Sequence, residues 1–299
     1  MVVTSSSTLF VKHPQWVVET TEGTTPTSSP SFTSLGAVKS ASIKINGSFV
    51  DVAQLGAEDL ITIVQGQQEY ETSFTLSVVN ATSIIARLIG VYNYGTPTGT
   101  VNESISILFS LYMNGTENFI LCKGSKIKEG SISMDIGKET EVTVSFIHTT
   151  ITTPFSTANA GLTTPTFATL PSGAVWSYLD GGSTPVSWNA TGILCKKLTL
   201  NIARNSKSDY TLGSVDPHSS QPHGRRISGD LINLWSNTTL ETDFKAGTAR
   251  TLAVVIKTGT STITLTGTKI MDYSRDGDIG NDDAIIETVN FRCLSIAQA

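Results

Sequence analysis

The sequence predicts a mainly β protein made of two tandem copies of one unit, each carrying a single short helix. Three observations lead there. First, segments recur in the same order: Lys39–Asn46 reappears as Leu194–Asn201, 155 residues on; Asn118–Ile127 as Ser261–Ile270, 143 on; Glu141–Phe146 as Ile286–Phe291, 145 on. Repeats of this length mark similar domains rather than links of a solenoid. Second, the apolar residues mostly alternate with Ser, Thr and Asn, the period of a half-buried strand. Third, 299 residues match the length of about two domains. Only 15% of them are charged, so polarity comes from hydroxyls and amides, as on the faces of sheets. The domains are placed at 1–150 and 151–299.

The elements follow in order. Residues 1–36 are rich in Thr, Ser and Pro and read as an extended arm. A strand spans 38–50, where Ile43 and Ile45 alternate with Ser42, Lys44 and Asn46. Asp51–Gln68 breaks the alternation and reads as a long loop, and Glu69–Val79 resumes it. Asn80–Gly90 opens on an N-cap residue, carries Ile84, Ile85, Leu88 and Ile89 at helical spacing and stops at glycine. Strands at 104–113 and 117–127 flank Asn114-Gly115, a two-residue hairpin signal, and a last strand covers 139–150. Residues 151–190, rich in Thr, Pro and Gly, join the copies. The second copy runs strand (193–204), loop (205–224), strand (225–236), helix (238–246), hairpin (250–271) around Lys257–Ser261, and strand (284–296). Its helix begins after an Asn or Thr cap and ends at Gly247.

Composition excludes several classes. The net charge of −5 and the lack of a Lys/Arg run argue against a nucleic-acid groove. Cys122, Cys195 and Cys293 fit no zinc or redox spacing; each lies in an apolar strand pattern and reads as a buried free thiol, which favours a reducing compartment during folding. Neither a signal peptide nor an apolar run of membrane length is visible. The sequons at Asn46, Asn80, Asn102, Asn114, Asn189 and Asn237 follow from Ser/Thr richness rather than marking glycosylation. His218 and His223 share a loop, but no Cys or carboxylate cluster completes a metal site. Asp276, Asp278, Asn281 and Asp282 could gather oxygens around Ca²⁺; without the spacing and terminal Glu of a calcium loop they read as a solvated turn. No hydrolase, nucleotide or zincin motif occurs, and no carboxylate pair recurs in both copies, so the expectation is a non-enzyme with no cofactor. Trp16, Trp176, Trp188 and Trp235 are dispersed, unlike a sugar-binding platform.

The second copy resembles the tail tube proteins of long-tailed viruses of bacteria and archaea. The resemblance is carried by Arg226–Leu231 entering the second strand, Phe244–Gly247 closing the helix, the hairpin Leu252–Ile270 and a carboxylate-rich turn leading into Glu287–Phe291. The first copy fits more loosely, with Glu71–Phe74 standing where Ile227–Asp230 stands. The resemblance implies two packed antiparallel sheets with one flanking helix in each domain. It implies a structural virion protein whose subunits join sheet edges into closed rings, here three chains forming a pseudo-hexamer. The rings stack into a tube that DNA traverses without specific binding. The implied ring-stacking loops carry Asp51, Gln54, Glu58, Asp59, Gln65, Lys207, Asp209, Asp216 and His218. The implied lumen face carries Lys44, Asn46, Thr143, Ser145, Thr199, Asn201, Thr288 and Asn290, hydroxyl-rich and unattractive to phosphate. Implied partners are further copies of the chain and the tail tip, tape-measure and tail terminator proteins, with no membrane. The implied location is the virion tail, assembled in the host cytoplasm. Two other readings stand beside it: the inner tube of a contractile injection or secretion apparatus, and an extracellular β-sandwich surface-layer or adhesive protein.

Overall fold

The computed structural model describes residues 9–52, 62–79, 88, 104–113, 116–152, 162, 165–169, 173–204, 206–221, 224–277 and 285–298. Among them the chain is mainly antiparallel β-sheet with one complete α-helix, Thr239–Ala246, and a short 3₁₀ helix at Tyr178–Gly181. In chain order the strands are β1 (Leu9–Val18), β2 (Thr33–Ser34), β3 (Ala37–Val52), β4 (Thr62–Ser77), β5 (Ile105–Met113), β6 (Thr116–Asp135), β7 (Glu141–His148), β8 (Thr150–Ile151), β9 (Val186–Trp188), β10 (Thr191–Ile193), β11 (Cys195–Ala203), β12 (Lys207–Asp209), β13 (Ser219–Gln221), β14 (Arg226–Leu234), β15 (Arg250–Lys257), β16 (Ser261–Asp276), β17 (Ile286–Cys293) and β18 (Ser295–Gln298).

Each half lays down the same pattern. One sheet of the first half runs β3-β4-β7-β6, and one of the second runs β11-β14-β17-β16. The other sheets run β2-β1-β5-β6-β8 and β10-β9-β15-β16-β18. The long strands β6 and β16 therefore serve both sheets of their half. They turn from one sheet into the other at Gly124 and Gly267, whose φ values of +60° and +66° only glycine adopts readily. At Gly124 a Cβ would also lie 2.3 Å from Thr149 Oγ1. These two glycines stand 143 residues apart, inside one of the repeated segments. Just beyond each, the ladder to the next strand carries an irregularity at the same place, between Ile127 and Glu129 and between Ile270 and Asp272.

Alternation puts the apolar residues between the sheets. Phe74 on β4 stacks on Phe109 of β5 with centroids 5.4 Å apart and meets Phe146 of β7 edge-on at 5.9 Å, geometries favoured by the ring quadrupoles. Leu198, Leu200, Ile202, Leu231, Val289 and Phe291 form the matching layer of the second half, and one continuous core joins both. Trp16 and Trp188, dispersed in sequence, hold corresponding positions: Trp16 pairs with Ile107 and Trp188 with Leu252. The helix of the second half is tied to its sheet by Asp243. That carboxylate is buried, accepts from Trp188 Nε1 at 2.8 Å and is gripped by Arg250 at 2.9 and 3.0 Å. The Arg250 hydrogen bonds hold its pKa below the usual carboxylate range.

Several expectations are corrected. Residues 9–36 are not an arm: β1 is an inner strand between β2 and β5, and Trp16, Phe32 and Leu35 are buried. The Thr, Ser and Pro content masks enough apolar residues to anchor a strand. Asp51–Gln68 is not wholly loop, because β3 and β4 stay paired out to Val52 and Thr62 as a projecting hairpin arm. Cross-strand partners also reset two offsets. Following the ladders outward from Val144 and Val289 makes Phe74 correspond to Leu231 and Ala41 to Leu198, both 157 apart. The offset of 156 read between Glu71–Phe74 and Ile227–Asp230 would set buried Phe74 against exposed Asp230, since a slip of one residue inverts every side chain. Of the three cysteines, Cys122 is buried, whereas Cys195 and Cys293 are only partly so. The expected helix at Asn80–Gly90 lies outside the described residues except for Leu88, which is helical and buried.

Candidate functional site

The last strand of the first sheet pairs with the first strand of the second. β6 and β11 run antiparallel from Asp135 opposite Lys197 to Glu129 opposite Ala203. The result is one continuous sheet, β3-β4-β7-β6-β11-β14-β17-β16, with its inward face on the core.

The other face is polar, and the eight residues expected on a lumen face all lie on it. Directly opposed residues of antiparallel strands share a face, so the ladders trace the surface row by row. Lys44 stands opposite Glu71 and Asn46 opposite Glu69. Thr143 lies between Thr75 and Ser131, and Ser145 between Ser73 and Glu129. Across the seam, Thr199 lies between Ser133 and Asp230, and Asn201 between Ser131 and Ser228. Thr288 lies between Ile232 and Ser274, and Asn290 between Asp230 and Asp272. Carboxylates (Glu69, Glu71, Glu129, Asp135, Glu141, Asp230, Asp272, Asp276) and cations (Lys44, Lys126, Lys197, Arg226, Lys269, Arg292) share this face in similar number. Lys128, at the irregularity in β6, bonds Glu71.

The two outer strands are open. Among the described residues β3 pairs only with β4, and the Lys269–Asp276 stretch of β16 pairs only with β17. Unpaired edges of this length invite another strand. Exposed apolar residues flank them: Ile45, Phe49, Ile63 and Val64 on the β3–β4 arm, and Met271 and Leu294 near β16.

The loop residues divide. Asp51 opposes Ile63 and Gln65 opposes Phe49 in the arm, while Gln54, Glu58 and Asp59 lie outside the described residues. In the second half, Lys207 and Asp209 sit in β12, paired with β13. His218 is exposed and donates its backbone N–H to Asp209 at 2.8 Å. Asp216 instead accepts the Tyr70 hydroxyl at 2.5 Å. Burial, then that carboxylate, pushes the Tyr70 phenol up to about 12. Around it Gln68 N–H donates to Val215 and the Tyr210 hydroxyl to Gln68 O, at 2.8 and 2.7 Å. Glu22 accepts from Ser220 N–H at 2.8 Å and pairs with Lys126 at 2.7 Å. The second-half loop is thus folded down onto the first half. No sequence signal marked Gln68, Tyr70, Glu22 or Lys126 for this, because partners 146 and 198 residues apart leave no local period.

Asp276 ends β16 and is exposed; Asp278, Asn281 and Asp282 lie outside the described residues. Among the described residues no three His, Cys, Asp or Glu side chains gather as metal ligands, and no helix is long and apolar enough to cross a membrane. His148 is enclosed: it sits 2.9 Å from Thr72 Oγ1 and 2.7 Å from Ser125 Oγ. Ser125 donates onward to the Cys122 carbonyl, so Nδ1–H is the donor to Ser125 and Nε2 accepts from Thr72. Burial lowers its pKa to about 3, which makes it a neutral core residue.

What the chain offers is a broad polar sheet face, two open edges and a projecting arm, the equipment of a non-enzymatic structural β protein. Its sequence matches the phage tail tube protein family over residues 14–293. The chain belongs to that family and is a structural component of a viral tail. No curated protein matches it.

Proposed function

We propose that the chain is two tandem tail-tube units, divided near residue 150, that assemble into stacked rings of three chains and form the hollow tube through which viral DNA is delivered. The single observation that carries this reading is the seam between β6 and β11. Two units already join edge to edge inside one molecule, leaving equivalent open edges at β3 and β16. Repeating that contact between molecules closes a barrel and leaves no edge exposed. The polar face then lines the channel, where hydroxyls, and cations matched by neighbouring carboxylates, give passing phosphates no foothold. The β3–β4 arm, with Asp51 and Gln65, reaches toward the next ring. Asp216 is engaged within the chain, so of the second-half loop residues Lys207, Asp209 and His218 are the ones left for stacking. Its partners are further copies of itself and the proteins that cap and measure a tail, and it assembles in the host cytoplasm.

Negative-stain electron microscopy of concentrated purified protein tests this. Hollow tubes or rings with three-fold symmetry and six similar lobes are expected. Flat two-dimensional lattices would overturn the tube in favour of a surface layer.

A further inference from the structure

We infer that the seam within the chain is the template for the seam between chains: β3 of one copy docks antiparallel on the Asp272–Asp276 stretch of β16 in a second copy, in the register that β11 keeps on β6. The inference rests on the tube reading and adds which residues meet. The ladders make β16 correspond to β6 with an offset of 143 and β3 to β11 with an offset of 157. Transferring the β6–β11 pairs sets Asp272 opposite Asn46, Tyr273 opposite Ile45, Ser274 opposite Lys44, Arg275 opposite Ile43 and Asp276 opposite Ser42.

Three independent features of the two edges fit this register. The first is parity: Ser42, Lys44 and Asn46 share the polar face, as do Asp272, Ser274 and Asp276, so the transferred register aligns polar with polar. The second is charge. Lys44 comes to lie opposite Ser274 with Asp272 and Asp276 on the diagonals, within reach of a lysine. At the corresponding place the internal seam has Asn201 opposite Ser131, flanked by Glu129 and Ser133. The cation facing two carboxylates is therefore peculiar to the junction between chains, where it fixes register and rejects a misplaced partner. Lys44, an unexpected cation for a DNA channel, is neutralised there. The third is apolar matching. Ile45, 58% exposed, meets Tyr273, which is stacked on Phe244 at 6.0 Å. In the internal seam Ser206 Oγ donates to the Ile127 carbonyl; the corresponding residues are Phe49 and Ile270, so exposed Phe49 lands beside exposed Met271.

Engineered cysteine pairs test the register in assembled protein carrying Cys195→Ser and Cys293→Ser. Ser42→Cys with Asp276→Cys should yield disulfide-linked oligomers ending at three chains. Ser42→Cys with Ser274→Cys, slipped by two residues, should yield at least ~10-fold less, because opposed Cβ atoms in the wrong register are too far apart. Ser133→Cys with Thr199→Cys is the internal calibrator and should close within one chain. A second arm reverses charge: Lys44→Asp should cut tube mass about tenfold, and adding Asp272→Lys and Asp276→Lys should restore it. Tubes in which the calibrator closes, the Ser42/Asp276 pair does not exceed the slipped pair and the charge swap restores nothing would overturn this register and leave the tube standing. A protein that forms neither rings nor tubes at any concentration overturns the tube reading and this inference with it.

Discussion

At the scale of single residues, two buried positions give measurable consequences. His148 titrates near 6.5 when unfolded but is held at about 3 in the fold by burial. Between those values the unfolded chain binds the extra proton, so stability falls as pH falls, by about 1.4 kcal/mol per pH unit at most. Paired carboxylates such as Asp243, whose pKa is lowered, lose their contribution only once pH drops into the carboxylate range. The interval from pH 6.5 to 4.5 therefore belongs to the histidine. His148→Gln should flatten the loss of melting temperature across that interval; an unchanged slope would put the acid sensitivity elsewhere. Gly229, in the Arg226–Leu231 segment, explains its own presence. A Cβ there would lie 2.4 Å from the Thr199 carbonyl oxygen and 2.5 Å from the Phe291 ring, so Gly229→Ala should cost about 1–3 kcal/mol in thermal or urea unfolding. The first half has Thr72 at that position, opposite Phe146, and two residues further along that neighbouring strand His148 stands where the second half has Cys293; there the Thr72 side chain hydrogen-bonds the imidazole.

At the scale of elements, removal of the β3–β4 arm is expected to separate folding from assembly. Residues 48–66 can be replaced by a short turn without touching Gln68, Tyr70 or the core. The product should stay soluble, with an unchanged far-ultraviolet spectrum, yet give no tubes by electron microscopy; normal tubes would take the arm out of assembly. Strand periodicity made β3, β5, β7, β11, β14 and the helix legible, but β4 only from Glu69 and β6 only to Ile127, short of the Glu129–Asp135 stretch that forms the seam; the offsets of 143 and 145 recur in the ladders themselves. β1 was hidden because Thr, Ser and Pro dominate its surroundings while only Leu9, Phe10, Val11 and Trp16–Val18 carry the strand. The arm was hidden because both its faces are wet, so Phe49, Ile63 and Val64 show no buried stripe. That Lys44, Thr143, Thr199 and Thr288 each take the polar side of their own strand was readable from alternation; that these sides form one face was not. The β6–β11 seam was not, since pairing between strands some sixty residues apart is decided by three-dimensional complementarity that no period records.

At the scale of the molecule, the two halves share a seven-rung ladder from Asp135–Lys197 to Glu129–Ala203 and one apolar core. They should therefore unfold together. Calorimetry of the unassembled chain is expected to show one transition whose calorimetric and van't Hoff enthalpies agree; two resolved peaks would mean that the halves are independent and the seam contributes little. High salt should weaken assembly more than folding, because Lys44, Asp272 and Asp276 lie at open edges whereas the core is apolar.

The continuous sheet also sets where a ring of such chains would tear. Its hydrogen bonds run across the strands, along the circumference, so outward pressure from a packed filament becomes hoop tension that pulls neighbouring strands apart. At the β6–β11 seam the polypeptide itself crosses from one half to the other, and opened rungs are held close enough to reseal. Between β16 of one molecule and β3 of the next no covalent link spans the gap. Two halves carried in one chain would thus leave every second seam of such a ring tethered, and rupture would begin at the untethered ones, releasing whole molecules rather than halves.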